Sequence, residues 1–255
     1  MLNLPTPLLG NVSAITIASP NLEQSLAYYQ RLGFKEVMRF DFPFPWIQVS
    51  DGALLMMLRK DPNPYIALTY YVKDIQTIVA MLESKGIAFT SRPGPNDMIK
   101  RYVFQSPDGL NISLVEIMDG FNQPPGPTML GMQQEDYFKP ETYTNKTCGM
   151  FGELAQPVKD LGASIAFWEL MGYKTLSKFE APYNWAIMSD GLCVVGLHQS
   201  THFSYPAITF FAADMKEKIE KLRAAGLENY TTHSPGNIML TTPEQQHVFL
   251  FSMGG

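Results

Sequence analysis

The chain repeats itself, and this internal repetition limits its possible folds more than any single motif does. The stretch SLAYYQRLGF from Ser25 to Phe34 returns as SIAFWELMGY from Ser164 to Tyr173, at an offset of 139 residues. Four further blocks return in the same order at offsets between 136 and 140: WIQVSDG as WAIMSDG, YYVKDI as FFAADM, LESKGI as LRAAGL, and SPDGLNISL as TPEQQHVFL. Chance does not keep five blocks in order at nearly one offset, so the repeat indicates a duplication and two similarly folded halves.

A stretch rich in proline and glycine separates the two repeats. It contains Pro124, Pro125, Pro127 and Pro140, and such residues interrupt helices and strands and favour turns. We therefore divide the chain into an N-terminal module, a linker and a C-terminal module, at residues 1–120, 121–147 and 148–255.

The composition excludes several classes of protein. With 45% hydrophobic and 17% charged residues, the chain is not disordered. The net charge of −5 and the lack of a basic stripe argue against a nucleic-acid partner. Without a basic, apolar leader or a run of about 18 apolar residues, neither secretion nor a membrane partner is expected. Cys148 and Cys193 have neither the spacing of a disulfide framework nor that of zinc ligands, and they are predicted to be free thiols. Free thiols suit a reducing compartment, so we expect a cytoplasmic protein. We expect it to be a monomer or a homodimer.

Each half shows the pattern of short strands interrupted by helices. Leu22, Leu26 and Tyr29 recur at helical spacing, and Gly33 is expected to end this helix. The Ser-Asp-Gly of each half is expected to form a type I′ hairpin turn, which requires positive φ at both central positions. Each half then holds two strand–helix–strand–strand–strand units, the second one abbreviated, and this pattern predicts an α+β fold. In the first half the predicted strands lie near residues 12–18, 36–40, 46–49, 54–58, 66–72, 101–104 and 111–117.

The order of these motifs resembles the vicinal oxygen chelate superfamily, which includes glyoxalases, bleomycin-resistance proteins and dioxygenases. The stretches that carry the resemblance are PNLEQSLAYYQRLGF, YYVKD, SPDGLNISL and PVKDLGASIAFWELMGY. It spans about residues 11–118 and 149–253. The resemblance implies tandem βαβββ-type modules that form curved mixed sheets around a cup, which holds a small-molecule ligand and often a divalent metal. The fused pair is expected to complete one cup in a single chain.

The resemblance also implies three metal-ligand positions in each half, where metal-dependent members have His, Glu or Gln, the donors that such cations require. A single carboxylate does not hold a catalytic cation, so we predict that the metal ligands are not retained and that no cofactor is bound. A divalent metal in a non-standard site is the alternative. The residues at the six positions are Ala14, Ala67 and Ser113, then Glu153, Ala207 and Phe249.

Strand alternation predicts which side chains face the cup, because alternate residues of a strand share one face. The predicted wall is aromatic and apolar with a few polar groups, as in many small-molecule sites. The two tryptophans could instead be core residues that seal the interface between the halves. The predicted ligand-binding residues are Trp46, Gln48, Thr69, Tyr71, Trp185, Thr209, Phe211 and His247.

Glu153 is the candidate catalytic residue, because a carboxylate buried in an apolar cup could act as a general base or could pair with a cationic ligand. His198, His202 and His233 lie near loop-like segments and are predicted to be surface residues.

Three functions remain open at this stage. The first is a protein that binds a small, partly aromatic molecule in an apolar cup without a catalytic metal. The second is an enzyme, either a lyase or isomerase with Glu153 as acid or base or a dioxygenase-like member of the superfamily. The third is a scaffold whose cup is filled by core side chains.

Overall fold

The computed structural model describes residues 4–117, 124 and 128–253, and in it each repeat forms its own curved mixed sheet. The predicted module boundary at residue 120 and most of the first residues of the predicted linker lie outside the described residues. In the N-terminal half the elements are β1 (Val12–Ser19), α1 (Leu22–Arg31), β2 (Lys35–Phe40), β3 (Trp46–Ser50), β4 (Leu55–Lys60), β5 (Ile66–Val72), α2 (Ile75–Ser84), β6 (Arg101–Gln105) and β7 (Asn111–Glu116).

The N-terminal sheet has the strand order β2-β3-β4-β1-β5-β7-β6. Strand β1 pairs in parallel with β4 and antiparallel with β5, and β5 pairs in parallel with β7. The second unit is abbreviated, as predicted, because an isolated bridge between Ser91 and Val103 takes the place of a strand after α2. The first strands of the two units thus lie side by side at the centre of the sheet.

The C-terminal half repeats this arrangement with a complete second unit, so the prediction of an abbreviated second unit is wrong for this half. Its sheet has the order β13-β14-β15-β12-β8-β11-β10-β9, so the predicted α+β fold of tandem modules is confirmed. The elements are β8 (Met150–Pro157), α3 (Leu161–Leu170), β9 (Lys174–Phe179), β10 (Trp185–Ser189), β11 (Val194–His198), β12 (Ala207–Ala212), α4 (Met215–Ala224), β13 (Tyr230–Ser234), β14 (Asn237–Thr241) and β15 (His247–Ser252).

The described part of the predicted linker packs on the body of the protein. It contains three short 3₁₀ segments, Met129–Gly131, Gln134–Asp136 and Pro140–Thr142. Tyr143 follows them and is buried; its hydroxyl donates to the carbonyl of Tyr137 at 2.6 Å and accepts from the backbone N–H of Ala213 at 2.9 Å. No helix among the described residues is long and apolar enough to cross a membrane.

The Ser-Asp-Gly segments do connect two hairpin strands, but the predicted type I′ turn is wrong. Gly52 has a φ of +95°, whereas Asp51 is not among the residues with positive φ. The Asp51 carboxylate accepts from the backbone N–H groups of Ala53 and Leu54, at 2.9 and 2.7 Å. The aspartate side chain thus accepts from backbone N–H groups two and three residues further along the chain. These bonds stabilise a wider loop in place of the tight two-residue turn.

One continuous apolar core joins the two halves, and buried polar contacts cross it. The Tyr70 hydroxyl donates to Asp190 at 2.6 Å, and the Tyr173 hydroxyl contacts that of Tyr70. Burial raises the pKa of Tyr70, and the charge of Asp190 raises it further, so the phenol stays a donor at neutral pH. The two halves therefore share a hydrogen-bonded interface.

We expect Tyr70→Phe to lower the free energy of unfolding by about 1–3 kcal/mol, because it leaves the buried Asp190 carboxylate and the Tyr173 hydroxyl short of a partner. Urea denaturation measures the change. Tyr205→Phe is the matched control, since Tyr205 is 40% exposed and its variant should unfold like the parent. A Tyr70→Phe variant as stable as the parent would contradict this account of the interface.

Candidate functional site

Each sheet encloses a cavity on its concave side, so the expectation of one cup for the fused pair is wrong. The N-terminal cup has a volume of about 200 Å³ and is lined by Thr16, Trp46, Arg59, Thr69, Tyr71 and Arg101, among others. The C-terminal cup has about 510 Å³ and is lined by Glu153, Tyr183, Trp185, His198, Phe211 and Phe249, among others. Each half curls on itself because its two units join through their first strands.

The predicted binding residues divide between these two cups. Trp46, Thr69 and Tyr71 line the N-terminal cup, and Glu153, Trp185, Thr209 and Phe211 line the C-terminal cup. Both tryptophans therefore face a cavity rather than the interface between the halves.

Two predicted residues are not among those that line the cavities. Gln48 is buried on β3, and its Oε1 has no hydrogen-bond partner within the described residues. His247 is on β15, two residues from the cup-lining Phe249, and burial lowers the pKa of its imidazole.

A buried carboxylate–imidazole pair lies in the C-terminal cup. Glu153 on β8 is 4% exposed, and its Oε1 is 2.7 Å from Nε2 of His198 on β11. The prediction that His198 is a surface residue is wrong, because it is the last residue of a buried strand. The alternation of residues along β11 could have identified His198 as a cup residue. His198 shares a face with Gly196, and Gly196 pairs with β8, the first strand of the unit.

The backbone around Glu153 makes room for its carboxylate. A Cβ atom on Gly196 would lie 2.0 Å from Glu153 Oε2, so a side chain at position 196 would displace the carboxylate. The pairing of β8 with β12 also shifts register between Thr209 and Phe210, which leaves Gly152 as an extra residue beside Glu153. Such a bulge re-aims neighbouring side chains. In the other half the equivalent β1–β5 pairing is regular.

The His198 ring is held on several sides. Trp185 stacks on it with ring centroids 5.3 Å apart and an interplanar angle of 7°, and Phe203 meets it edge-on at 5.7 Å. Its Nδ1 is 3.3 Å from the Tyr183 hydroxyl. When Glu153 is ionised it can only accept, so Nε2 carries the proton and Nδ1 of the neutral ring can accept from Tyr183. Burial and the charge of Glu153 raise the pKa of Tyr183, which keeps that phenol protonated.

The rest of the C-terminal cup is an aromatic wall with a few polar groups. Phe249 and Phe251 stack at 5.2 Å, with an interplanar angle of 13°. Thr209 Oγ1 is buried and lacks a hydrogen-bond partner within the described part of the chain. His202 and His233 are exposed, as predicted, but they also line the cup. The cup thus offers flat apolar surfaces and a small number of polar groups, as ligand sites do.

The residues present do not fit a three-ligand metal centre. Among the described residues, no group of three or more His, Cys, Asp or Glu is arranged to hold a metal ion. In the C-terminal cup the two donors Glu153 and His198 are bonded to each other, and the position expected to supply a third ligand is Phe249, which stacks on Phe251. The arrangement can therefore hold a polar group or transfer a proton, and no metal-assisted step follows from it.

Comparison with known proteins gives a family match for the first half and a fold match for the whole chain. The sequence model of the Glyoxalase/Bleomycin resistance protein/Dioxygenase superfamily matches residues 11–114. No curated protein sequence matches the chain significantly.

Three solved dioxygenase structures illustrate the fold match. The 2,3-dioxygenase LapB from Pseudomonas sp. KL28 is 14% identical with a TM-score of 0.59, over 98% of this chain and 94% of that one. Homoprotocatechuate 2,3-dioxygenase from Arthrobacter globiformis is 12% identical with a TM-score of 0.62, over 99% and 82%. The 2,2',3-trihydroxybiphenyl 1,2-dioxygenase from Sphingomonas wittichii strain RW1 is 16% identical with a TM-score of 0.58, over 96% and 91%. At such identities the likeness shows the fold alone.

We expect Gly196→Ala to lower the free energy of unfolding by about 1–3 kcal/mol, because the new methyl group overlaps the buried Glu153 carboxylate. In a Glu153→Ala background the same change should cost less than about 0.5 kcal/mol, since contacting residues are energetically coupled. Chemical denaturation of the parent, the two single variants and the double variant measures this coupling. Gly162→Ala on the outer helix α3 is the control, whose effect should not depend on residue 153. Equal costs of Gly196→Ala in both backgrounds would argue against the close contact.

Proposed function

We propose that this chain, which belongs to the glyoxalase/bleomycin resistance protein/dioxygenase superfamily, binds a small planar hydroxylated aromatic molecule in its C-terminal cup. The observation that carries the proposal is the Glu153–His198 pair, 2.7 Å apart and buried within an aromatic cavity. Burying ionisable groups of this kind costs free energy, which their mutual hydrogen bond offsets in part and which further hydrogen bonds from a ligand would offset more fully.

The size and shape of the cavity support a small flat ligand. A volume of about 510 Å³ lies within the range of roughly 300–1,000 Å³ typical of small-molecule sites. The Trp185 ring is nearly parallel to both His198 and Phe179, at 7° and 16°. These two contacts hold Trp185 in place, and its edge together with the Phe249 and Phe251 rings gives an apolar lining against which a flat ligand can pack.

The polar groups support a ligand that donates hydrogen bonds. A carboxylate accepts at two oxygens, and the Glu153 carboxylate has capacity beyond its bond to His198. Thr209 Oγ1 is buried, faces the cavity and has no partner among the described residues. Phenolic hydroxyl groups satisfy both positions. The name of one similar structure contains trihydroxybiphenyl and another is called a catechol 2,3-dioxygenase, so hydroxylated rings are a reasonable first choice of ligand.

We expect catechol to bind saturably to the purified protein and veratrole, which has methyl ethers in place of both hydroxyls, to bind at least about 10-fold more weakly. Glu153→Gln should weaken catechol binding by about 10-fold or more, because a charge-assisted hydrogen bond is lost. Isothermal titration calorimetry measures both effects.

Glu169→Gln is the matched control, because Glu169 lies on α3 outside the cup and its variant should bind like the parent. Equal binding of catechol and veratrole, or unchanged catechol binding by Glu153→Gln, would overturn the proposal.

A second candidate function, proton transfer by a lyase or isomerase, is favoured by the hydrogen-bonded series Tyr183–His198–Glu153. Glu153 could take up a proton from one carbon of a substrate at Oε2 and return it to another, while the Nε2–H of His198 holds Oε1 and Tyr183 holds the imidazole through Nδ1. General acid–base groups of this type contribute about 10²–10⁴ in rate.

This alternative predicts that the protein exchanges the C–H protons next to a carbonyl group, which proton NMR of hydroxyacetone in D₂O measures. Glu153→Gln should lower the exchange rate at least about 100-fold with a nearly unchanged melting temperature, because the base is lost while its shape is kept. Glu169→Gln should exchange at the parent rate. Exchange retained by Glu153→Gln, or no exchange above buffer by the parent, would eliminate it.

A further inference from the structure

The N-terminal cup carries positive charge, although the chain as a whole has a net charge of −5. Three cationic residues line it, Arg59, Lys100 and Arg101, and one carboxylate, that of Glu116. Glu116 is exposed, whereas both arginines are half-buried. Charges at a cavity with low-dielectric walls act more strongly than charges on an open surface, so this cup attracts anions.

The two arginines lack a carboxylate ion-pair partner within the described part of the chain. Neither Arg59 nor Arg101 belongs to an ion pair within residues 4–117, 124 and 128–253. Burial lowers the pKa of Arg101, and the charge of the nearby Arg59 lowers it further. Tyr65 and Asp61 act in the opposite direction. Arginine stays protonated in proteins, so the cup holds two positive charges that no described carboxylate pairs with.

The Arg59 side chain is also held in place for a ligand. Its guanidinium lies over the Phe44 ring, with Cζ 4.3 Å from the ring centroid. This contact holds the guanidinium group in place. Its Nε is buried and has no hydrogen-bond partner among the described atoms. A donor that has lost water and has no acceptor in the protein is a group that a bound oxyanion would satisfy.

The remaining lining of the N-terminal cup suits an aromatic ring. Trp46 and Tyr71 are 4% and 6% exposed and lie in a small apolar cluster that is separate from the main core. The Thr16 and Thr69 hydroxyls, which also line the cavity, are 2.7 Å apart and bonded to each other. The wall is therefore mainly apolar, and its other polar groups besides the cations are those of Tyr65, Ser113 and the exposed Glu116. The volume of about 200 Å³ limits the ligand to about one ring.

We propose that the N-terminal cup is a second, separate binding site, specific for a small aromatic carboxylate whose oxygens are held by Arg59 and Arg101. A planar carboxylate matches the fork of a guanidinium through two parallel hydrogen bonds. The ring lies between Trp46, Tyr71 and Phe44. The site does not depend on the function of the C-terminal cup, because the two cavities share no residue.

The repeat explains why the two cups take different ligands. At the offsets that relate the halves, Arg59 corresponds to His198 and Arg101 to Asn237. Ala14 stands at the position of Glu153. One cup thus has two guanidinium groups and no carboxylate on its first strand, and the other has a carboxylate and no arginine in its lining.

Benzoate and benzamide test the proposal, because they share one ring and one shape but differ in charge. Titration calorimetry on the full chain should show saturable binding of benzoate and at least about 10-fold weaker binding of benzamide. Arg59→Met and Arg101→Met should each weaken benzoate binding at least about 10-fold. Arg59→Lys, which keeps the charge and loses the fork, should fall between Arg59→Met and the parent.

Two controls make the result decisive. Arg31→Met changes an exposed arginine on α1 that lines neither cup, so benzoate should bind to it as to the parent. Glu153→Gln should also leave benzoate binding unchanged, which separates this site from the C-terminal one. The proposal is overturned if benzoate does not bind, if benzamide binds equally well, or if the methionine variants bind benzoate with parental affinity while folded.

Discussion

The central strands of both sheets are buried on both of their faces, and this constraint decides where polar groups can lie. Every described residue of β1 is buried, and all but the last residue of β8 are buried as well. One face packs on the shared core and the other lines a cup. A polar side chain on such a strand loses its water on either face, so it needs a partner in the protein or in a ligand.

The two cups satisfy this constraint in different ways. In the N-terminal cup, Thr16 and Thr69 bond to each other across β1 and β5. In the C-terminal cup, Glu153 finds His198 across β8 and β11. Gly196 makes the second pairing possible, because the equivalent position of the first half is Met57, whose side chain would occupy the space of the carboxylate. The backbone plan is shared, and small changes in side-chain volume decide which chemistry each cup can hold.

The repeated Ser-Asp-Gly turns also connect each half to another part of the chain, the first turn to the linker and the second to the other half. Asp51 accepts from the Asn145 amide at 3.1 Å, and Asp190 accepts from the Tyr70 hydroxyl at 2.6 Å. In both cases the partner comes from outside the aspartate's own repeat. Burial raises the pKa of both carboxyl groups, because it disfavours the charged form. Hydrogen bonds lower it in part, first from Tyr70 and then from the backbone for Asp190, and mainly from the backbone for Asp51. A motif that resembles a simple turn therefore also anchors its half, to the linker in one case and to the other half in the second case.

The sequence by itself determined the duplication, the order of strands and helices and the α+β fold, because repeats and alternating patterns are local properties of a chain. It also predicted that Trp46 and Trp185 lie on equivalent strands, but it left open whether they face a cup or the core. Only the tertiary structure decided that each half closes its own cup, since closure depends on how strongly a sheet curls and not on which residues alternate. His198, Arg59 and Arg101 line the cavities for the same reason: each lies at or next to the end of a strand, where the curl of the sheet decides whether a side chain reaches a cup. The bulge at Gly152 and the space above Gly196 then directed Glu153 towards His198, and neither can be read from the spacing of residues along one strand.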